Sequence, residues 1–212
     1  MPAGWVLAMD VGLETLRVGL KNSQGVENLT LLQGSVYELP LSNCSVDVVY
    51  AHQVMQHLSD VPQALEEIKR VLKPGGVVAL RDTDYSGMTW LPANNHLQQW
   101  RNLYQKIAQQ NGGNPNIGPQ LSVFCEDTGL IDVTNSTSDW HYQGESALWW
   151  GRVWQTRVLA SDYYIQALAY QLADEEQLKQ LSKAWREWGE MSDAQFTMTH
   201  HEVMAKKPNK QK

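Results

Sequence analysis

Several carboxylates and imidazoles in this sequence close short apolar runs, where an open sheet would present them at its edge. Asp10 follows Val6-Leu7-Ala8-Met9. Ionised, it is a pure hydrogen-bond acceptor; its plain reading is a cap for the helix that follows. His52 and Gln53 follow the run at 46–50. An imidazole titrates near neutrality, so His52 is a candidate general base, with a bond to backbone or cofactor as the alternative. His57, further into the turn, reads as structural. Arg81-Asp82-Thr83-Asp84-Tyr85 closes another run. Its acids could orient a substrate hydroxyl or amine, cap the next helix, or pair with Arg81. Cys44 and Cys125 are the two cysteines and neither lies in a CxxC pair, so they read as free thiols in a reducing compartment, without zinc site or disulfide.

The elements that would carry these groups alternate. Leu13, Leu16 and Leu20 share one helical face, and Gly25 ends that helix. Residues 29–33 read as a second strand and 46–50 as a third. Asp60 then predicts an N-cap, with Gln63 at the capping-box position, Pro62 in the first turn and Val61, Leu65, Ile68 and Leu72 as the apolar stripe. Pro74-Gly75-Gly76 stops this helix before a strand at 77–80. Such alternation predicts an α/β fold with a mostly parallel sheet covered by helices. Leu97, Trp100, Tyr104 and Ile107 mark another helix. Shorter signals give a helix at 119–128, a strand at 131–135, helices across 144–189 and a last strand at 196–205. Most of the nine tryptophans fall in this second half. They read as packing for a helical lid, with one or two lining a pocket.

With 212 residues, 42% of them hydrophobic, the chain can build one sizeable core. A net charge of −6 argues against a nucleic-acid partner, because phosphate binding needs a basic surface. No apolar run reaches the roughly 18 residues of a spanning helix. The N-terminus lacks a basic start and long apolar stretch, so no signal peptide is expected, and the basic end from Lys206 to Lys212 reads as a solvated tail.

Together, Gly34-Ser35-Val36-Tyr37-Glu38-Leu39-Pro40, the stretch from Val46 to Leu58, and Glu67-Ile68-Lys69-Arg70-Val71-Leu72-Lys73-Pro74-Gly75-Gly76 resemble class I S-adenosylmethionine-dependent methyltransferases, above all those of ubiquinone and menaquinone biosynthesis. The resemblance covers residues 6 to about 82 in order and continues more weakly beyond. It implies a Rossmann-like methyltransferase sheet, mostly parallel with an antiparallel last strand, in a single domain over 1–212, with a helical lid at about 140–190 inserted before that strand. It also implies S-adenosylmethionine as cofactor, bound at the carboxyl ends of the strands, and transfer to a small molecule, apolar or aromatic if tryptophans line its pocket. Asp10 would accept the ribose hydroxyls. Gly34 and Ser35 would meet the adenine, Ser35 standing where the family often has Asp. The Val36 N–H would reach a ring nitrogen and Leu39 would cover the ring. His52 and Gln53 would lie near the reactive methyl group.

The family's first strand and its glycine-rich loop have no counterpart in this sequence. Gly12 and Gly19 are not so spaced, and a nicotinamide-type G-x-G-x-x-G is missing as well. The expectation is therefore a sheet truncated at its N-terminal side: its two edges close on each other, another segment, a second copy or a partner chain fills the gap, or, the first choice, the sequence is that of a truncated or misread gene product. A cytoplasmic enzyme is the first functional reading. A cofactor-binding-deficient remnant acting as a non-catalytic partner or regulatory subunit is the alternative.

Overall fold

The computed structural model describes residues 4–209. The outermost residues of both termini, including 210–212 of the basic tail, lie outside the described residues. Chain order is β1 (Val6–Asp10), α1 (Leu13–Asn22), β2 (Leu29–Gln33), β3 (Val46–His52), α2 (Val61–Val71), β4 (Leu72–Thr83), β5 (Thr89–Leu91), α3 (Asn95–Gln110), α4 (Leu121–Asp127), β6 (Ile131–Gln143), α5 (Glu145–Ala160), α6 (Asp162–Ala169), α7 (Glu175–Gly189) and β7 (Gln195–Lys206).

The best-specified helix, α2, starts as its sequence requires: Asp60 Oδ1 accepts the Gln63 N–H at 2.9 Å. Val61, Leu65, Ile68 and Val71 are buried, so the helix lies with its apolar stripe on the sheet. Its polar side does structural work too. Arg70 donates to Glu67, to the Leu39 and Leu41 carbonyls and to Asn43, while Glu67 accepts the Leu39 N–H at 2.9 Å. This clamp fixes the loop after β2 and holds the Glu67 carboxyl below its ordinary range, through Arg70 first. Helix α2 ends at Val71 and β4 begins at once, so the predicted stop at Pro74-Gly75-Gly76 falls inside the strand. There Gly75 adopts φ +76° and a Cβ on Gly76 would lie 2.8 Å from the Lys73 carbonyl, so glycine fits the irregularity where the pairing with β3 shifts register.

The strands form two sheets. β1 and β2 pair in parallel. In the larger sheet β3 and β4 are parallel, and β7 runs antiparallel to β4, β5 and β6. All its strands but the last therefore point one way. β6 follows β7 along one edge from Ile131 to Gln143, while β4 and β5 share the other. Among the described residues β1 pairs only with β2 and β3 only with β4. Next to this opening, Val48 and Tyr50 are 60% and 64% exposed, and α1 buries none of its residues. Side chains rather than ladder bonds join the two sheets: Met9, Val36 and Leu39 pack against the core of α2, β3 and β4.

A second core lies between α3, α5, α6, α7 and the first half of β7, and it is largely aromatic. The helices at 144–189 fall between β6 and β7, as a lid segment would.

Both cysteines are free. Cys125 is buried, and burial pushes its thiol up to about 11; Cys44 is half-buried. A thiol reagent at pH 8 should therefore modify one cysteine per native chain and two in urea, since the thiolate is the nucleophile. Two fast equivalents from the native chain would contradict the burial of Cys125.

Candidate functional site

The carboxyl ends of β1, β2 and β3 border one cleft of about 550 Å³. That volume suits a cofactor-sized molecule. Asp10, Gly34, Ser35 and Val36 line it together with Tyr50 and Gln53. Asp10 Oδ1 accepts the Gly12 N–H at 2.7 Å, turning the chain into α1. Its second oxygen has no partner among the described residues. The capping role thus takes only one oxygen of this carboxylate. A Cβ on Gly34 would meet Met9 Sδ at 2.8 Å and Pro40 Cδ at 3.2 Å, so glycine lets β1 and the following loop close up beside the cleft. Ser35 Oγ accepts the Tyr37 N–H at 3.2 Å, and Tyr37 Oη accepts the Ser59 and Asp60 N–H groups at 2.9 and 3.1 Å. The loop after β2 is thereby tied to the start of α2. Leu39 is buried at the cleft wall.

Gln53 is the pivot. It has φ +54°, a left-handed conformation uncommon for a residue with a Cβ. Its N–H donates to the Arg81 carbonyl at 2.7 Å, and its side-chain amide lies 2.9 Å from His200 Nε2. Burial, followed by the charge of Arg81, holds His200 down to about 4. His200 is therefore neutral near pH 7 and can accept from the Gln53 amide.

Asp82, fully buried, receives the Met55 and Gln56 N–H groups, each at 3.2 Å, and so fixes the turn after β3. Burial pushes its carboxyl up to about 6 against these bonds. Asp84 caps the next short turn through the Ser86 N–H at 2.8 Å. Neither acid pairs with Arg81. That guanidinium instead meets His52 Nε2 at 2.8 Å, Glu202 at 3.1 Å and Ser138 at 3.0 Å. Ser136, Ser138 and Arg81 together pull Glu202 down to about 2.

His52 belongs to this network and does not border the cleft. Its ring packs edge-on against Trp140, and burial, then Arg81, lowers its pKa. His57 does border the cleft, and burial lowers its pKa as well.

A second cavity of about 600 Å³ adjoins the first, and Gln53 lines both. Trp140 and Tyr142 of β6 and Trp149, Trp150 and Trp154 of α5 form its walls, with Arg157 at its edge. Trp100, Trp185 and Trp188 are instead fully buried. The tryptophans thus divide between packing and a pocket. Sequence reasoning did not reach Arg157, the Tyr37 tie or the His200–Gln53 pair. The last two join distant segments and leave no local spacing. Arg157 had a signal, its place at i+7 from Trp150 on one helical face.

Residues 3–80 match the family described as methyltransferase domain. An uncharacterized methyltransferase of Schizosaccharomyces pombe is 32% identical over 187 residues, 86% of this chain and 66% of the relative. A demethylmenaquinone methyltransferase of Staphylococcus aureus is 37% identical over 82 residues, 39% of this chain and 34% of that one. The chain belongs to the class I S-adenosylmethionine-dependent methyltransferases. Solved structures agree on the fold of this methyltransferase: the Bacillus subtilis YcgJ protein superposes with TM-score 0.60 at 18% identity, over 97% of this chain and 83% of that one. A Haemonchus contortus phosphoethanolamine N-methyltransferase, solved with S-adenosylhomocysteine, gives 0.57 at 16% identity, over 97% and 44%. The chain spans roughly a third to two thirds of the curated relatives it matches. Among its described residues no helix is long and apolar enough to cross a membrane.

Proposed function

We propose that this chain binds S-adenosylmethionine in the cleft at the ends of β1, β2 and β3 and methylates a small molecule held in the adjoining aromatic cavity. The observation that carries the reading is the convergence of Asp10, Gly34, Ser35 and Gln53, from three separate strand ends, on one cleft. The free oxygen of Asp10 suits ribose hydroxyls, Ser35 and the Val36 N–H suit an adenine edge, and Leu39 offers an apolar surface for its ring. When bound, the cofactor supplies a methyl group already activated by its sulfonium. The protein then has to align the acceptor and exclude water. Gln53, shared by the two cavities, stands where alignment is decided. His52 carries no proton in this scheme, because Arg81 occupies its Nε2 and opposes a positive charge there. A further strand between β1 and β3, from a second copy or a partner chain, would cover Val48 and Tyr50 and complete the sheet below the cleft. Two free thiols support a place in the cytoplasm.

Calorimetric titration of the folded chain with S-adenosylmethionine tests the reading. Saturable heat is expected, with affinity reduced about tenfold or more in Asp10→Ala, the range for losing a hydrogen bond to a charged group. A folded chain that takes up no cofactor would sink the proposal and favour the non-catalytic partner.

A further inference from the structure

Helix α5 carries Trp150, Trp154 and Arg157 at i, i+4 and i+7, which places them along one face. The two indoles are buried, and Trp150 stacks on Tyr142 of β6 at 4.5 Å. The Arg157 guanidinium lies 5.6 Å from the Trp154 ring centroid, within cation–π range. It lines the aromatic cavity and also a neighbouring one of about 390 Å³. No carboxylate among the described residues forms an ion pair with it. Asp162 borders the smaller cavity beside it without reaching ion-pair distance. The Arg157 charge acts on Tyr85, Tyr104 and Tyr142, favouring their ionised forms. The cavity's one carboxylate is Asp139, on β6, whose Oδ1 accepts the Thr199 hydroxyl at 2.7 Å.

A cavity walled by aromatic rings, with a cation among its lining residues, selects a particular kind of ligand. A flat body gains from the aromatic walls, and an anionic group gains a partner that the protein itself does not supply. We propose that the methyl acceptor is an aromatic acid, its ring against the aromatic wall that β6 and α5 form, its anionic group on Arg157 and its reactive atom toward Gln53. This inference rests on the reading of the adjoining cleft as the cofactor site.

Three probes with one body and different heads test it: 3-phenylpropanoate, 3-phenyl-1-propanol and 3-phenylpropylamine, each titrated calorimetrically into the full chain with and without S-adenosylmethionine. The acid should bind about tenfold or more tightly than the alcohol, the gain expected of a charge-assisted hydrogen bond, and the amine no more tightly than the alcohol. R157Q should erase the acid's advantage while leaving the alcohol's affinity unchanged, and Arg157→Lys should restore part of it. Arg157 is exposed and has no ion-pair partner among the described residues, so the urea midpoint should move only by the small loss of its contact with the Trp154 ring. An amine that binds best would hand the site to Asp139 and overturn the proposal. Equal affinities, no binding of any probe, or an acid preference that survives R157Q would overturn it as well. Acid binding without S-adenosylmethionine binding would keep the aromatic-acid site but remove the cofactor reading and with it the acceptor role; cofactor binding without acid binding would overturn the acid site alone.

Discussion

Asp82→Ala is expected to cost about 2–5 kcal/mol of folding stability, because it strands the buried N–H groups of Met55 and Gln56 at about 1–3 kcal/mol each. Asp82→Asn keeps an acceptor and should cost less, but it removes a titration. The Asp82 carboxyl sits at about 6 in the fold because burial outweighs its backbone bonds, against roughly 3.9 in an unfolded chain. Folding therefore favours its protonated form. The contribution is fully present below about pH 4 and is lost as pH rises through about 6, by on the order of 3 kcal/mol at most. His200 acts in the opposite direction. Held down to about 4, it contributes stability near neutrality that is lost as pH falls from about 6.5 toward 4. The two effects oppose each other in the same window and flatten the profile of the parent chain. The informative quantity is the difference between parent and Asp82→Asn, from urea unfolding at steps between pH 4 and 7. The parent should lose ground to the variant as pH rises. Parallel curves would mean that Asp82 ionises in the fold as it does in water. Because the turn it fixes carries Val54 and His57 to the cleft, Asp82→Ala should weaken cofactor binding too.

Local rules served well where a segment met its partners locally. Asp60 with Gln63, and Asp174 with Gln177, cap helices as their spacing demands. The motif around Arg70 is intelligible as the clamp on the loop after β2. Elements defined by distant pairing were harder to read. β6 was expected only to Asn135, yet it runs to Gln143. Its Ser136 and Ser138 donate to Glu202 across the ladder with β7. β5 has three residues and exists only because β7 leaves an edge free beyond β4. The candidate site divides the same way. Asp10, Gly34, Ser35, Val36 and Gln53 meet at one cleft, whereas His52, the last residue of β3, turns toward Arg81, and only the left-handed Gln53 just past the strand end enters the cleft.

Trp185→Ala should be the most damaging single change in the helices between β6 and β7, costing about 3–5 kcal/mol as a large buried aromatic removed without collapse of the site. Its ring is fully buried, 4.8 Å edge-on from Trp100, 5.5 Å from Trp188 and stacked 5.9 Å from Trp154. Helix α7 cannot shift inward to fill the void, since α5 and α7 already touch backbone to backbone. A Cβ on Gly151 would lie 2.7 Å from the Trp185 carbonyl and 2.9 Å from Gly189 Cα. Gly151→Ala should therefore cost about 1–3 kcal/mol through overpacking that no side-chain rotation relieves. Trp185→Phe is a revealing control. The Trp185 indole N–H has no partner among the described residues, so phenylalanine removes an unsatisfied donor along with part of the ring, and the loss should fall well short of that for alanine. Urea unfolding followed by circular dichroism measures all three variants. Equal losses for Phe and Ala would show that ring volume does not hold this crossing. Since Trp154 is both a neighbour of Trp185 and a wall of the aromatic cavity, the alanine variant should also bind 3-phenylpropanoate more weakly at denaturant-free conditions where it remains folded. The same aromatic cluster would then hold the helices together and shape the substrate cavity.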